Sequence, residues 1–140
     1  MKKMLLILSV MFFFTTGCSE EETKQEEKCN AVIIDSNQFN NSQSDPFNFI
    51  SLNFENECLK IKIRYGGGCE EVSAKLIDNG DVFESNPVQR NLRIVFTDND
   101  ECEALIEKNF YFNISNIQVD NERKVLLNFQ GSDLTYLYEY

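Results

Sequence analysis

The side chains able to do chemistry in this chain are thiols and carboxylates, because its 140 residues include no histidine. A Ser-His-Asp or Cys-His arrangement is therefore excluded from within the chain, and with it the usual activated nucleophile. Five cysteines are present, Cys18 near the start and then Cys29, Cys58, Cys69 and Cys102. In an exported domain the later four, even in number, imply two disulfides, with three connectivities that spacing alone does not choose among. A zinc cluster fits poorly, since there is neither a CxxC pair nor an imidazole. Carboxylates gather at Asp98-Asn99-Asp100-Glu101, where Asp98, Asp100 and Glu101 form a weak calcium candidate. It is no EF-hand: counting from Asp98, the sixth place holds Glu103 instead of Gly and the twelfth Asn109 instead of Glu. The plainer reading is a solvated acidic loop, so no metal and no cofactor are expected. Gly66-Gly67-Gly68 runs into Cys69-Glu70-Glu71, whereas a phosphate-cradling loop needs Lys-Ser/Thr or a helix N-terminus next. With no activated nucleophile, base or metal in view, a non-catalytic protein is expected.

Cys18 is set apart by what precedes it. Lys2 and Lys3 form a positive start, and Met4 to Phe14 is an apolar run too short to span a bilayer, so residues 1–17 read as a signal peptide. Thr15-Thr16-Gly17-Cys18 resembles a bacterial lipobox, in which small residues admit a signal peptidase and the cysteine becomes the lipidated N-terminus. Thr15 and Thr16 stand where Leu-Ala/Ser is usual, and the alternative is an ordinary secretory signal with Cys18 as a disulfide partner. Each buried methylene adds about 0.8 kcal/mol, so two or three acyl chains hold a protein stably where one does not. Residues 18–28 are otherwise polar and read as a disordered acidic linker. Glu20-Glu21-Glu22 resembles the export signal of surface lipoproteins in the Bacteroidetes group. The expectation is an outer-membrane, lipid-anchored protein on the cell surface, with a periplasmic orientation as the alternative.

These groups need a scaffold, and the rest of the chain supplies strands. Residues 29–140 are enough for one domain. The formal charge is −10, and losing Lys2 and Lys3 takes it to −12. A phosphate backbone is repelled by such a surface, so nucleic acid is excluded as a partner. Ala31 to Ile34 reads as a first strand, followed by a loop rich in Asn, Ser and Gln that ends at Asp45-Pro46. Phe47 to Phe54 is a second strand whose apolar parity changes between Phe49 and Ile50, predicting burial on both faces or a bulge. Leu59 to Tyr65 alternates apolar and basic residues without exception, which gives one core face and one wet face.

Val72 to Ile77 is a further strand, and Asn79-Gly80 predicts a type I′ hairpin with Val82-Phe83 pairing back. Asn91 to Thr97 resumes the period of two. Residues 101–108 are ambiguous, since Asp100 and Glu103 resemble a capping box while Cys102, Ala104 and Ile106 alternate. Phe110 to Ile114, Val125 to Phe129 and Leu134 to Tyr138 complete the series. An all-β fold follows, a single antiparallel β-sandwich, immunoglobulin-like or related, with at most one short helix and a small β-barrel as the alternative.

Tyr65-Gly66-Gly67-Gly68-Cys69-Glu70-Glu71, with Asp100-Glu101-Cys102-Glu103-Ala104-Leu105-Ile106 and Phe110 to Ser115, resembles a family of small uncharacterised lipoproteins of Bacteroidetes-type bacteria. The similar stretch runs from about Leu59 to the C-terminus. Histidines that often stand at the places of Val72 and near Thr97 are absent here, so no metal or catalytic role carries over from them. The resemblance implies a disulfide-linked β domain and brings no activity. The expected pairing is Cys69 with Cys102, leaving Cys29 with Cys58. That pairing would bring Glu70 or Glu71 towards Glu101 or Glu103.

Tyr136, Tyr138 and Tyr140 share a parity with Leu134 and are a candidate half-exposed ribbon for stacking on sugars or docking on proteins, against a rim-of-core role. The functional expectation is a lipid-anchored envelope module that binds an envelope protein or a glycan without catalysis. The alternative is an inhibitor or protector against an extracytoplasmic hydrolase, because an acidic surface suits a basic target such as lysozyme.

Overall fold

The computed structural model describes residues 28–99 and 101–140. The expected signal peptide, Cys18 and the expected linker up to Glu27 lie outside the described residues, as does Asp100. The elements run β1 (Asn30–Ala31), β2 (Ile33–Ile34), α1 (Ser36–Asn41), β3 (Asn48–Glu55), β4 (Cys58–Gly67), β5 (Ser73–Asp78), β6 (Val88–Thr97), β7 (Ala104–Asn113), β8 (Lys124–Phe129) and β9 (Thr135–Glu139). A short 3-10 turn, Ser115–Ile117, lies between β7 and β8.

A strand that alternates must bury its apolar face against something, and here two sheets do this for each other. One sheet has the order β1-β7-β4-β3 and the other β2-β5-β6-β8-β9, packed as an open sandwich rather than a closed barrel. The antiparallel expectation needs correction, because β1 pairs with β7, β2 with β5 and β6 with β8 in parallel. Side-chain alternation carries no sign of strand direction, so this could not be read from the period. In β4, Leu59, Ile61 and Ile63 are fully buried and Tyr65 nearly so, while Lys60, Lys62 and Arg64 face outward. They meet Leu76, Leu92, Phe96, Phe112, Val125 and Leu127 in one core.

The expected first strand is cut in two at Val32. Its residues before Val32 join one sheet and those after it the other, with Val32 itself buried, so the crossing closes that side of the sandwich. The opposite side is bounded by two strands with a partner on one flank only, β3 and β9.

The Asn- and Ser-rich segment expected as a loop contains α1. Asp35 caps it: Asp35 Oδ1 accepts the Gln38 N–H at 2.9 Å and Oδ2 accepts Gln38 Nε2 at 2.8 Å. The backbone bond from Gln38, then its side chain, hold the Asp35 carboxyl below its ordinary range. Phe39 packs on Ile77, Val95 and Ile33, a small second core on the outer face of the five-stranded sheet.

The Asn79-Gly80 hairpin does not form as expected. Gly80 turns with φ 90°, but its N–H donates to Asp78 Oδ1 at 2.6 Å, and β5 pairs with Leu92–Thr97 of β6 across a longer connection. Phe83 instead bridges Gln89. Residues 101–108 resolve as loop and then strand, β7, with no helix. Alternation wins because Ile106, Lys108, Phe110 and Phe112 pair along β4 from Tyr65 to Leu59.

Disulfides join Cys29 to Cys58 and Cys69 to Cys102, each pair with Cα atoms 6.0 Å apart. The first ties the chain before β1 to the start of β4. The second ties the two connections at the other end of the sandwich.

One polar pair is fully inside. Arg90 Nε and Nη2 donate to Asp78 Oδ2 and Oδ1 at 2.8 and 3.1 Å, with side-chain exposures of 8% and 0%. A planar guanidinium matches a carboxylate in this two-bond form, which lets both charges be buried together.

Candidate binding site

The open side of the sandwich carries the site, and its shape follows from where β8 stops. Strand β8 runs beside β6 from Val88 to Leu92 and ends at Phe129. Beyond it the chain turns through Gln130-Gly131-Ser132, so the rest of β6 has no strand on that flank. The connection after α1 takes part of the vacated place: Asp45 N–H donates to Phe96 O at 3.0 Å, and Phe96 N–H donates to Ser44 Oγ at 3.0 Å. Arg93 fixes that connection, its Nη1 and Nη2 donating to Phe39 O and Ser42 O at 2.6 and 2.7 Å.

Between these two closures lies a cleft of about 660 Å³. Its lining includes Asn40, Asn48, Gln130 and Ser132, together with the apolar Phe47, Phe49, Ile50 and Leu134. Phe47 and Phe49 meet edge to face at 5.1 Å and pack on Phe96 and Phe129. Ile50 reaches the rim through a bulge: Phe49 and Ser51 oppose the consecutive Ile63 and Lys62, leaving Ile50 as the extra residue. It is 38% exposed, and Leu134 across the cleft is 36% exposed. Further along the same side Phe54 of β3 lies 5.6 Å from the Tyr138 ring, and Tyr138 lies 5.0 Å from Tyr140. Phe54 and Tyr140 are also exposed. Exposed apolar groups therefore line the side on which both sheets end.

The tyrosine ribbon is placed differently from the expectation. Tyr138 is buried and its hydroxyl accepts from Gln118 Nε2 at 2.9 Å, while Tyr136 is half-buried against the core. Burial, and secondarily the neighbouring Tyr138, raise the Tyr136 hydroxyl above its ordinary pKa. Tyr140 is exposed, and its hydroxyl accepts the Val119 N–H at 2.8 Å. Tyr136 and Tyr138 share the inner face of β9, whereas Leu137, with Thr135 and Glu139, points out.

Of the calcium candidates, Asp98 donates its N–H to Asp45 Oδ2 at 2.7 Å, Glu101 is exposed, and Asp100 lies outside the described residues. Among the described residues no three His, Cys, Asp or Glu side chains gather as a metal site. Glu70, Glu71, Glu101 and Glu103 are exposed around the Cys69–Cys102 disulfide, outside the cleft lining. Gly67 belongs to β4 and has a packing reason: a Cβ there would meet the Tyr65 ring at 2.7 Å and Asp98 Oδ2 at 2.8 Å. No described helix is long and apolar enough to cross a membrane.

The outer face of the four-stranded sheet carries the main exposed ion pairs. Glu107 bonds Lys62 Nζ and Arg64, and its carboxyl is lowered to about 2 by the Lys62 and Arg64 hydrogen bonds. Lys60 pairs with Glu55 at 3.1 Å.

No motif in the sequence marks the cleft residues as a site. Two signals pointed towards them, the parity change at Phe49-Ile50 and the turn residues at Asp45-Pro46 and Gln130-Gly131. Neither says that both fall on one side of the molecule.

The fold is shared with solved structures. It resembles a protein of unknown function DUF1344 from Bacteroides vulgatus (TM-score 0.53, 11% identity, covering 80% of this chain and 57% of that one). It also resembles a NigD-like immunity protein from Bacteroides caccae (TM-score 0.58, 11% identity, 79% and 64%). A putative toxin-related protein from Parabacteroides distasonis is similar too (TM-score 0.50, 16% identity, 80% and 60%). The chain thus spans about three fifths of the length of these structures. Comparison with protein families and with curated proteins finds no match.

Proposed function

We propose that this protein is a non-catalytic recognition domain, lipid-anchored at the outer membrane through Cys18 and facing the cell surface, that binds an envelope protein through its open side. The observation that carries the reading is the alignment of Ile50, Leu134, Phe54 and Tyr140, all exposed, along the side where β3 and β9 leave both sheets unextended. Interfaces draw on such apolar and aromatic centres ringed by polar groups. The inward turn of Tyr136 and Tyr138 removes the ribbon that a glycan would stack on, so a protein is the favoured partner. A tether reaching Cys29, which is joined to Cys58 beside the β3–β4 turn, would hold the domain by that end. The cleft, near the opposite end of β3, would then face away from the membrane.

The test is capture from the organism's own envelope with the full-length protein and with an Ile50→Glu/Leu134→Glu variant. Both side chains are at the surface, so the fold is retained. A protein held by the wild type and lost from the variant is expected, and equal recovery by both would sink the reading. Palmitate labelling checks the anchor: label on the wild type and none on Cys18→Ala is the expected outcome.

A second reading is a protector that occupies an extracytoplasmic hydrolase. The similar folds of a NigD-like immunity protein and a toxin-related protein favour it, as does the net negative charge. Salt-sensitive binding to lysozyme would support it, and no binding at low salt would count against it.

A further inference from the structure

The two flanks of β3 are not alike. Strand β4 lies on one, and among the described residues no strand lies on the other. The phase of the β3–β4 ladder fixes which groups face that open flank. Asn56 and Glu57 have φ of 50° and 66°, the left-handed pair of a two-residue type I′ turn, with Glu55 and Cys58 on either side of it. Residues flanking such a turn bond each other across it, and bonding then alternates along the strand. Glu55, Asn53 and Ser51 therefore direct their N–H and C=O groups to β4, whereas Leu52 and Phe54 turn theirs to the open flank. Among the described residues no turn or loop backbone bonds to Asn48–Glu55 from outside the ladder. Edge strands are commonly closed to pairing by a charge, a proline or a lysine pointing inward. Beyond its short pairing with β1, strand β7 has such a guard, Lys108, on the inward face it shares with Phe110 and Phe112. Ser51-Leu52-Asn53-Phe54 has none, and Phe54 is 41% exposed.

We infer that, within the recognition reading above, the envelope partner adds an extended segment to this flank as a further strand of the four-stranded sheet. The bulge at Ile50 and the turn at Asn56 set its length, since Ser51 to Glu55 is the stretch in regular register with β4. Five residues of strand span about 17 Å at roughly 3.4 Å each. The inward side chains of the segment lie level with Leu52 and Phe54 and towards Tyr138, whose ring is 5.6 Å from that of Phe54, so they are apolar or aromatic. The outward ones follow Ser51 and Asn53 beside the row of Lys60, Lys62 and Arg64. Those three cations have two carboxylates between them, Glu55 and Glu107, in a chain of net charge −10, so polar or acidic residues fit there. Residues 19–28 do not meet this pattern, because they include no apolar side chain. A second copy is opposed by the same net charge on each chain. Main-chain bonds of this kind supply affinity, and the alternating side chains supply choice of partner.

The test begins with amide exchange in the free full-length protein in detergent, where Leu52 and Phe54 are expected to exchange fast and Asn53 slowly. Random linear dodecapeptides on phage are then panned against it. Selected peptides are expected to alternate apolar with polar or acidic residues, to slow the Leu52 and Phe54 amides at least tenfold, and to bind Phe54→Pro at least tenfold more weakly than Phe54→Ala. Both variants lack the ring, but only Phe54→Pro lacks the N–H, and proline is tolerated at an edge position whose N–H faces away from the ladder. Should Phe54→Pro fail to fold, exchange in the wild type still decides. Peptides that bind without slowing Leu52 and Phe54, equal affinity for two folded variants, or a library that yields no binder would each overturn strand addition. So would slow Leu52 and Phe54 amides in dilute free protein, or slowing that rises with protein concentration alone, which marks a second copy. If the envelope partner of the preceding section binds while those two amides stay fast, strand addition fails and the recognition reading stands.

Discussion

Replacing Asp78 with Asn tests how much of this fold hangs on its internal charge pair. The Asp78 side chain has no exposure and that of Arg90 8%, and two nitrogens meet two oxygens at 2.8 and 3.1 Å. Asp78 Oδ1 also accepts the Gly80 N–H, and Asp78 O accepts the Asp35 N–H, so the residue knots β5, the turn after it and the approach to α1. Removing the carboxylate leaves a guanidinium buried without a counter-charge, which costs about 3–5 kcal/mol. Domains of this kind hold about 5–15 kcal/mol in all, so the variant would retain a fraction of its stability. Urea denaturation at neutral pH with the disulfides intact reads the loss, which should change little between low and high salt because the pair is shielded from counter-ions. Asp78→Leu/Arg90→Met should recover most of it, since an apolar pair of similar volume leaves no orphaned charge. A loss below about 1 kcal/mol for Asp78→Asn, the size of an exposed ion pair, would refute the reasoning.

Two further predictions concern the surface pair and the crosslinks. Glu107 has a folded pKa of about 2 against an ordinary 4.5, so its contribution is present above pH 4.5 and lost as pH falls through about 2. Glu107→Gln should flatten the acid limb of the stability profile, and added salt should shrink the difference because the pair is exposed. Joining Cys69 to Cys102 closes a loop of 33 residues, so Cys69→Ala/Cys102→Ala should lower stability by about 2–4 kcal/mol in urea melts, and non-reduced peptide mapping of the wild type should recover Cys69 with Cys102 and Cys29 with Cys58.

Much of the sheet structure was legible because alternation is a local signal. Leu59 to Tyr65 announces a strand with one wet face, and the parity change at Phe49-Ile50 leaves burial on both faces or a bulge, of which the structure has the bulge, turning Ile50 outward. The helix has a local signal too, since Asp35 followed three residues later by Gln38 is a cap, and Phe39 is its single buried side chain. Parallel pairing, the switch of sheets at Val32 and the burial of Arg90 are not local. They depend on which strands lie side by side, and an isolated arginine between Gln89 and Asn91 reads as surface. The tyrosines show the same limit, since a period of two tells which residues share a face but not which face is inside. The cleft was hidden for a related reason: it exists because β8 ends opposite Leu92, a fact of register.

The claim that the open side is the working surface is tested most directly by photo-crosslinking in living cells. A benzophenone side chain would be placed at Leu134 on the cleft rim and, separately, at Lys75, an exposed residue on the outer face of β5. The account predicts a defined protein adduct from position 134 and none from position 75. Adducts of equal yield from both, or from position 75 alone, would contradict it.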